Sequence, residues 1–219
     1  MWVAGVDGCR AGWCVVLSDG AEVRARVVST FGDVLELPEH PAAIALDMPI
    51  GLPRTPGRPC DTRARELLPG RASTIFSPPV RAALHAGDYA ATCAANRSSA
   101  PDAPAISLQA FHLLPKLREV DASITPDLQS RIREAHPELA FAAVAGKVLA
   151  AKKTVAGRRA RLRALRSIGL VPPRPRDAAP DDVLDAAILC WSARRIADRT
   201  VRVLGGDRDD RGLAMEIVT

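Results

Sequence analysis

The segment Trp2-Val-Ala-Gly-Val-Asp7-Gly-Cys-Arg-Ala-Gly-Trp-Cys-Val-Val16 constrains this chain more than any other. Up to Asp7 it is short, apolar and β-branched, which reads as a buried strand and not a helix. Gly8 and Gly12 bracket a tight turn, so the chain reverses into a second strand from Trp13 to Leu17. Asp7 then stands at the carboxyl end of a central strand, where a carboxylate is costly unless something pairs with it. Metal ions and phosphate chemistry are the usual reasons for keeping one there. The competing explanation is an Asp that only hydrogen-bonds the turn.

With 219 residues, 47% of them hydrophobic, the chain can bury one substantial core. The expectation is a single domain over 1–219, carrying a helical insertion at about 54–130. No apolar run approaches the roughly 20 residues of a membrane span, and no signal peptide precedes the first strand. A cytoplasmic protein with no membrane partner follows as the expectation. Five cysteines without a CxxC pair indicate neither a disulfide framework nor a zinc site. The net charge of +5 suits a polyanion such as nucleic acid. That inference is weakened by the bias behind it, since only Lys116, Lys147, Lys152 and Lys153 are lysines in an Ala-, Arg- and Pro-rich sequence.

Glu22 to Val28 alternates as a third strand, and Ser29 or Thr30 can cap a short helix through Leu37. Pro41-Ala-Ala-Ile-Ala-Leu-Asp47 is a buried strand that again ends in a carboxylate. If the two Asp-ended strands are parallel neighbours, Asp7 and Asp47 lie side by side at one sheet edge. Residues 54 to 130 lack strand periodicity and predict helices at Cys60–Leu68, Arg81–His85, Tyr89–Asn96 and Ser107–Val120. This insertion is expected to pack over the sheet edge and shape a substrate cleft. Arg131 to Glu134 returns to strand alternation. If Ile132 and Glu134 take opposite registers there, Glu134 approaches the edge that carries Asp47.

His136 and Glu138 open the next helix, with His136 in a local hydrogen-bonding role. A helix from about Ala156 directs Leu162, Leu165 and Ile168 inward and Arg158, Arg159, Arg163 and Arg166 outward. Lys152 and Lys153, just ahead of it, are the better candidates to contact a polyanion. After a Pro-rich connector, Asp181-Asp182-Val-Leu-Asp185 starts a helix, with Asp181 at or next to the cap. Capping does not explain Asp185, which lies among apolar residues and shares a face with Asp182 at i, i+3. A terminal hairpin from about Val201 to Val218 completes the chain.

This order resembles the RNase H-like fold, an α/β architecture with a mixed five-stranded sheet flanked by helices. It comes closest to the RuvC-type resolvase branch, whose C-terminal helix carboxylates match the Asp182-x-x-Asp185 spacing. Nearly the whole chain is similar to a bacterial domain-of-unknown-function family described as predicted RNase H-like nucleases. The likeness rests on Gly5-Val-Asp-Gly-Cys-Arg-Ala-Gly-Trp13, Asp47-Met-Pro-Ile-Gly-Leu-Pro53, Phe76-Ser-Pro-Pro79 and Ser107-Leu-Gln109. It continues through Glu119-Val-Asp121, Glu134-Ala-His-Pro-Glu-Leu139, Lys152-Lys153 and Asp181-Asp-Val-Leu-Asp-Ala186.

The resemblance implies a metal-dependent nuclease with Mg2+ or Mn2+ as cofactor and nucleic acid as partner. Two-metal phosphodiester cleavage requires clustered carboxylates on fixed supports. Asp7 would bridge the metals, with Asp47 on one and Asp185 and Asp182 on the other, and Glu134 as a fifth carboxylate. Arg10, Lys152 and Lys153 would bind substrate. Two other classes share the fold. One is an actin-like phosphotransferase or ATPase, in which Arg10 and the glycines at 8 and 12 would cradle phosphate. The other is a non-catalytic nucleic-acid-binding module, distinguished by whether divalent metal binds at all.

Overall fold

Alternate residues of the first strand, buried on both faces, divide the molecule into two layers. The computed structural model describes residues 1–219. Its first strands are Val3–Cys9 (β1), Gly12–Ser18 (β2) and Val23–Val28 (β3), followed by the short helix Phe31–Leu35 (α1) and the strand Ile44–Leu46 (β4). The helices Pro59–Glu66 (α2), Tyr89–Arg97 (α3) and Leu108–Ser123 (α4) make up the insertion, and Ile132–Glu134 (β5) closes the sheet. Helices Pro137–Ala145 (α5), Val155–Ser167 (α6) and Pro180–Ala197 (α7) follow, then the hairpin Val203–Arg208 (β6) and Ala214–Val218 (β7).

The mixed sheet has the order β3-β2-β1-β4-β5, and β6 with β7 forms a separate two-stranded sheet. Neighbours β1, β2 and β3 are antiparallel, whereas β4 lies parallel to β1 and β5 parallel to β4. This is the α/β arrangement expected of an RNase H-like chain. No helix is long and apolar enough to cross a membrane.

Ala4, Val6, Val15, Leu17, Ile44 and Leu46 face the layer that holds Phe31 and Val34 of α1 and Leu114, Leu117 and Val120 of α4. Val3, Cys14, Val16 and Ala45 face the other way, onto Ala186, Ala187, Leu189 and Cys190 of α7. Glu119 ties the first layer together, accepting from Trp13 Nε1 at 3.0 Å and from the Phe31 backbone N–H at 2.8 Å. Two local expectations change. Arg81–Ala83 is a single 3₁₀ turn and does not run on as a helix to His85. The cap of α7 is Ala179 with Pro180 at the first position, and Asp182 instead of Asp181 reaches back to the Ala179 N–H, at 3.2 Å.

Helix α7 lies so close to β1 that Gly5 has no room for a side chain. A Cβ there would sit 2.1 Å from both the Ala186 carbonyl oxygen and the Cys190 nitrogen. These are backbone atoms, so the helix would have to move away from the sheet. Gly5→Ala is therefore expected to destabilise the fold by about 3 kcal/mol, the upper end of overpacking penalties. Chemical denaturation checks this, and a loss under about 1 kcal/mol would mean that α7 can shift freely over the sheet.

Candidate active site

The register places the first two site carboxylates. Val6 pairs with Leu46, and the Asp47 N–H donates to the Val6 carbonyl at 2.9 Å, so Asp47 emerges beside Asp7. Both keep the parity of Gly5 and Ala45 and lie on the α7 side of the sheet. Asp182 and Asp185, from the first two turns of α7, close over the same strand ends. All four line one cleft of about 380 Å³. Walls from the insertion (Arg71 to Phe76, Gln109, Leu113) and from the start of α5 complete it, so the insertion does shape the cleft.

Asp7, Asp47 and Asp185 are held with little solvent, and Asp182 is half-buried beside them. Burial pushes the Asp7 carboxyl well above its usual value, and Asp47, Asp185 and Asp182 add repulsion in that order. Asp47 is raised in the same sense, by burial and then by Asp185. Asp185, only 4% exposed, is raised to about 6 by burial even with a cation beside it. That cation is Lys152, whose Nζ stands 2.6 Å from Asp185 Oδ2. Burial opposes the charge on Lys152, but Asp185, Asp7 and Asp47 outweigh it and hold the ammonium above its ordinary value.

Hard oxygen donors, with excess negative charge in a desolvated cleft, suit Mg2+ or Mn2+ in chemical type. No three acidic, histidine or cysteine side chains close on one point in ligating geometry. Instead, the Lys152 ammonium occupies the position next to Asp185 that a cation would take.

Glu134 is not a member of this cluster. Residues two apart on a strand share a face, so Glu134 follows Ile132 and Leu46 to the side opposite Asp47. There, under the Asp47–Pro53 loop, Arg58 binds Glu134 Oε1 and Oε2 at 2.7 and 2.8 Å, and the Ile50 N–H donates to Oε2 at 2.8 Å. With Asp61 bound to the same guanidinium, the three form a buried ion cluster. Glu134 anchors the loop behind Asp47 and does not line the cleft.

The remaining sequence-predicted residues separate as follows. Lys152 enters the cleft, but as the partner of Asp185 and not as a free phosphate contact. Lys153 is exposed beside it and does not line the cleft, and Arg10 is exposed at the tip of the first hairpin. Gly12 has a structural cause of its own, since its φ is +138° and a Cβ would lie 2.1 Å from the Val28 carbonyl oxygen. His136 has the local role expected of it. Its Nδ1 accepts the Glu138 N–H at 3.2 Å, so the proton sits on Nε2, 3.1 Å from the Thr74 carbonyl oxygen. Burial lowers its pKa to about 4, leaving it neutral at physiological pH.

Sequence reasoning missed the Glu138–Arg161 pair. Arg161, 1% exposed, holds both Glu138 oxygens at 2.6 and 2.7 Å, and Arg71 reaches Glu138 at 3.3 Å. The signal was present. Arg161 lies four residues before Leu165, on the inward stripe of α6, where an arginine needs a buried partner.

The fold and site together define a class: an α/β chain with a mixed sheet and an acidic cleft at the carboxyl ends of its parallel strands. A family model described as "Protein of unknown function (DUF429)" matches residues 5–210, and the chain belongs to that family. No curated protein and no solved structure matches it.

Proposed function

We propose that this chain is a metal-dependent nuclease of the RNase H-like type, hydrolysing phosphodiester bonds of nucleic acid. One observation carries the proposal. Asp7, Asp47, Asp182 and Asp185 come from three separate segments into one cleft, largely desolvated and mutually repelling, with Lys152 the cation in an ion pair with them. A fold does not maintain that repulsion for stability, and a divalent cation is the economical cause.

Asp7, Asp47 and Asp185 would hold the metal, with Asp182 in support. When bound, magnesium supplies charge stabilisation at the phosphate and an activated water. The protein supplies the rest. The paired strand ends and the N-terminus of α7 fix the carboxylates. Lys152, once released from Asp185, offers an ammonium to a phosphate oxygen. Neutral His136 is no general acid at pH 7, and its bond to Thr74 holds the insertion wall in place.

The test is a cleavage screen over single-stranded, duplex, hybrid and branched substrates with Mg2+ or Mn2+, run beside melting curves. Cleavage that EDTA abolishes, with a melting temperature raised by metal, is the expected result. No cleavage of any substrate and no metal-induced shift would favour the non-catalytic binding module.

A further inference from the structure

The carboxylates fill only one part of the cleft. The rest is a recess whose apolar lining is Met48, Phe76 and Leu113, with the exposed polar side chains of Ser73 and Gln109 at its rim. Phe76 is unusually well supported for a loop residue. Arg65 donates to the Ile75 carbonyl at 3.0 Å and to Ser77 Oγ at 2.8 Å, gripping the residue on either side of it. Pro78 and Pro79 stiffen the chain immediately after. Part of the ring packs on Cys93, Ile106 and Ala110, and the remainder faces the cleft. A partly exposed aromatic ring, clamped on both sides and beside a phosphate-type site, loses little freedom when a flat ligand stacks on it.

Resting on the hydrolase reading above, we infer that this recess is a subsite for one unstacked nucleotide, with its base on Phe76 and its phosphate toward the carboxylates. Size supports one nucleotide. At about 380 Å³ the cleft is at the small end of the roughly 300–1,000 Å³ range of ligand pockets. A base stacked on Phe76 is unstacked from its neighbours, which a continuous duplex does not allow. Stacking on an aromatic ring with polar groups at the rim is the chemistry by which single strands are held with little sequence preference. The substrate class is therefore a single strand, a frayed or flap end, or a free nucleotide.

Binding is measured directly with Ca2+ in place of Mg2+, using a labelled single strand, the blunt duplex of the same sequence, and a labelled mononucleotide. The variants are Phe76→Leu, which keeps apolar packing without the stacking face, and Phe76→Trp, which keeps both; melting curves confirm that each folds. The single strand should bind at least about ten-fold tighter than the duplex. Phe76→Leu should weaken single-strand binding by roughly 5- to 150-fold, the range for loss of one stacked base, and Phe76→Trp should preserve it. Phe76-dependent binding of the mononucleotide without any strand binding supports the subsite and assigns it to free nucleotides. Equal binding of duplex and single strand, unaffected by Phe76→Leu, overturns the subsite. Metal-dependent cleavage in that case leaves the hydrolase reading standing, whereas Phe76-dependent binding without cleavage does the reverse.

Discussion

Asp7→Asn is expected to abolish metal-dependent cleavage while raising the melting temperature of the metal-free protein. The substitution keeps the size of the side chain and most of its hydrogen bonding but removes the charge nearest three other carboxylates. Loss of one such electrostatic contact lowers turnover by at least about 10²–10³-fold. The stability change has a defined sign. The folded-state pKa of Asp7 lies above its unfolded value, so this group favours folding below about pH 4, and the contribution is lost as pH rises through the folded value. Asp185 behaves alike, its contribution being lost between about pH 4 and its folded pKa of about 6. The metal-free wild type should therefore lose stability as pH rises from about 4 through 6, and Asp7→Asn should lose less. In a chain of this size each kcal/mol of repulsion removed is worth about 2–4 °C. Melting curves across that pH range check it. A variant that melts below wild type at pH 8 would show that the carboxylates are not in net repulsion.

Arg58→Ala is the second large effect, this time on stability. Arg58 is 1% exposed and is the cation for both Asp61 and Glu134. Its removal leaves two carboxylates in the interior without a counter-charge, a loss of about 3–5 kcal/mol. Thermal melting should drop by roughly 6–20 °C. Arg58→Lys should recover little, because an ammonium cannot serve both carboxylates and the Ile50 and Gly51 carbonyl oxygens with the guanidinium's geometry. Combining Arg58→Met with Glu134→Gln and Asp61→Asn should restore much of the loss. A single Arg58→Ala variant as stable as wild type would remove the cluster from its anchoring role behind Asp47.

The parts of the fold that local pattern determines were readable from the chain. A short apolar, β-branched run and the Gly8–Gly12 turn marked β1 and β2. Two Asp-ended strands implied parallel neighbours, and Asp182-x-x-Asp185 implied one helix face. What could not be read locally was which charges pair across long sequence separations. Glu134 and Arg58 are far apart in sequence, and so are Glu138 and Arg161, and Lys152 and Asp185. Their burial follows from tertiary closure, not from periodicity. Glu134 was a different case. The rule that residues two apart share a strand face already placed it with Ile132, away from Asp47. Phe76 stood in a loop and Gln109 at the start of a helix whose facing was open, so their position on the cleft wall emerged only with the packing of the insertion.

The claim on which the account depends is that the acidic cleft binds a divalent metal, and a crystal soaked in manganese tests it most directly. Anomalous density is expected at Asp7, Asp47 and Asp185, with the Lys152 Nζ displaced from its 2.6 Å contact with Asp185. Lys152 still paired with Asp185, and no manganese among the four carboxylates, would contradict it.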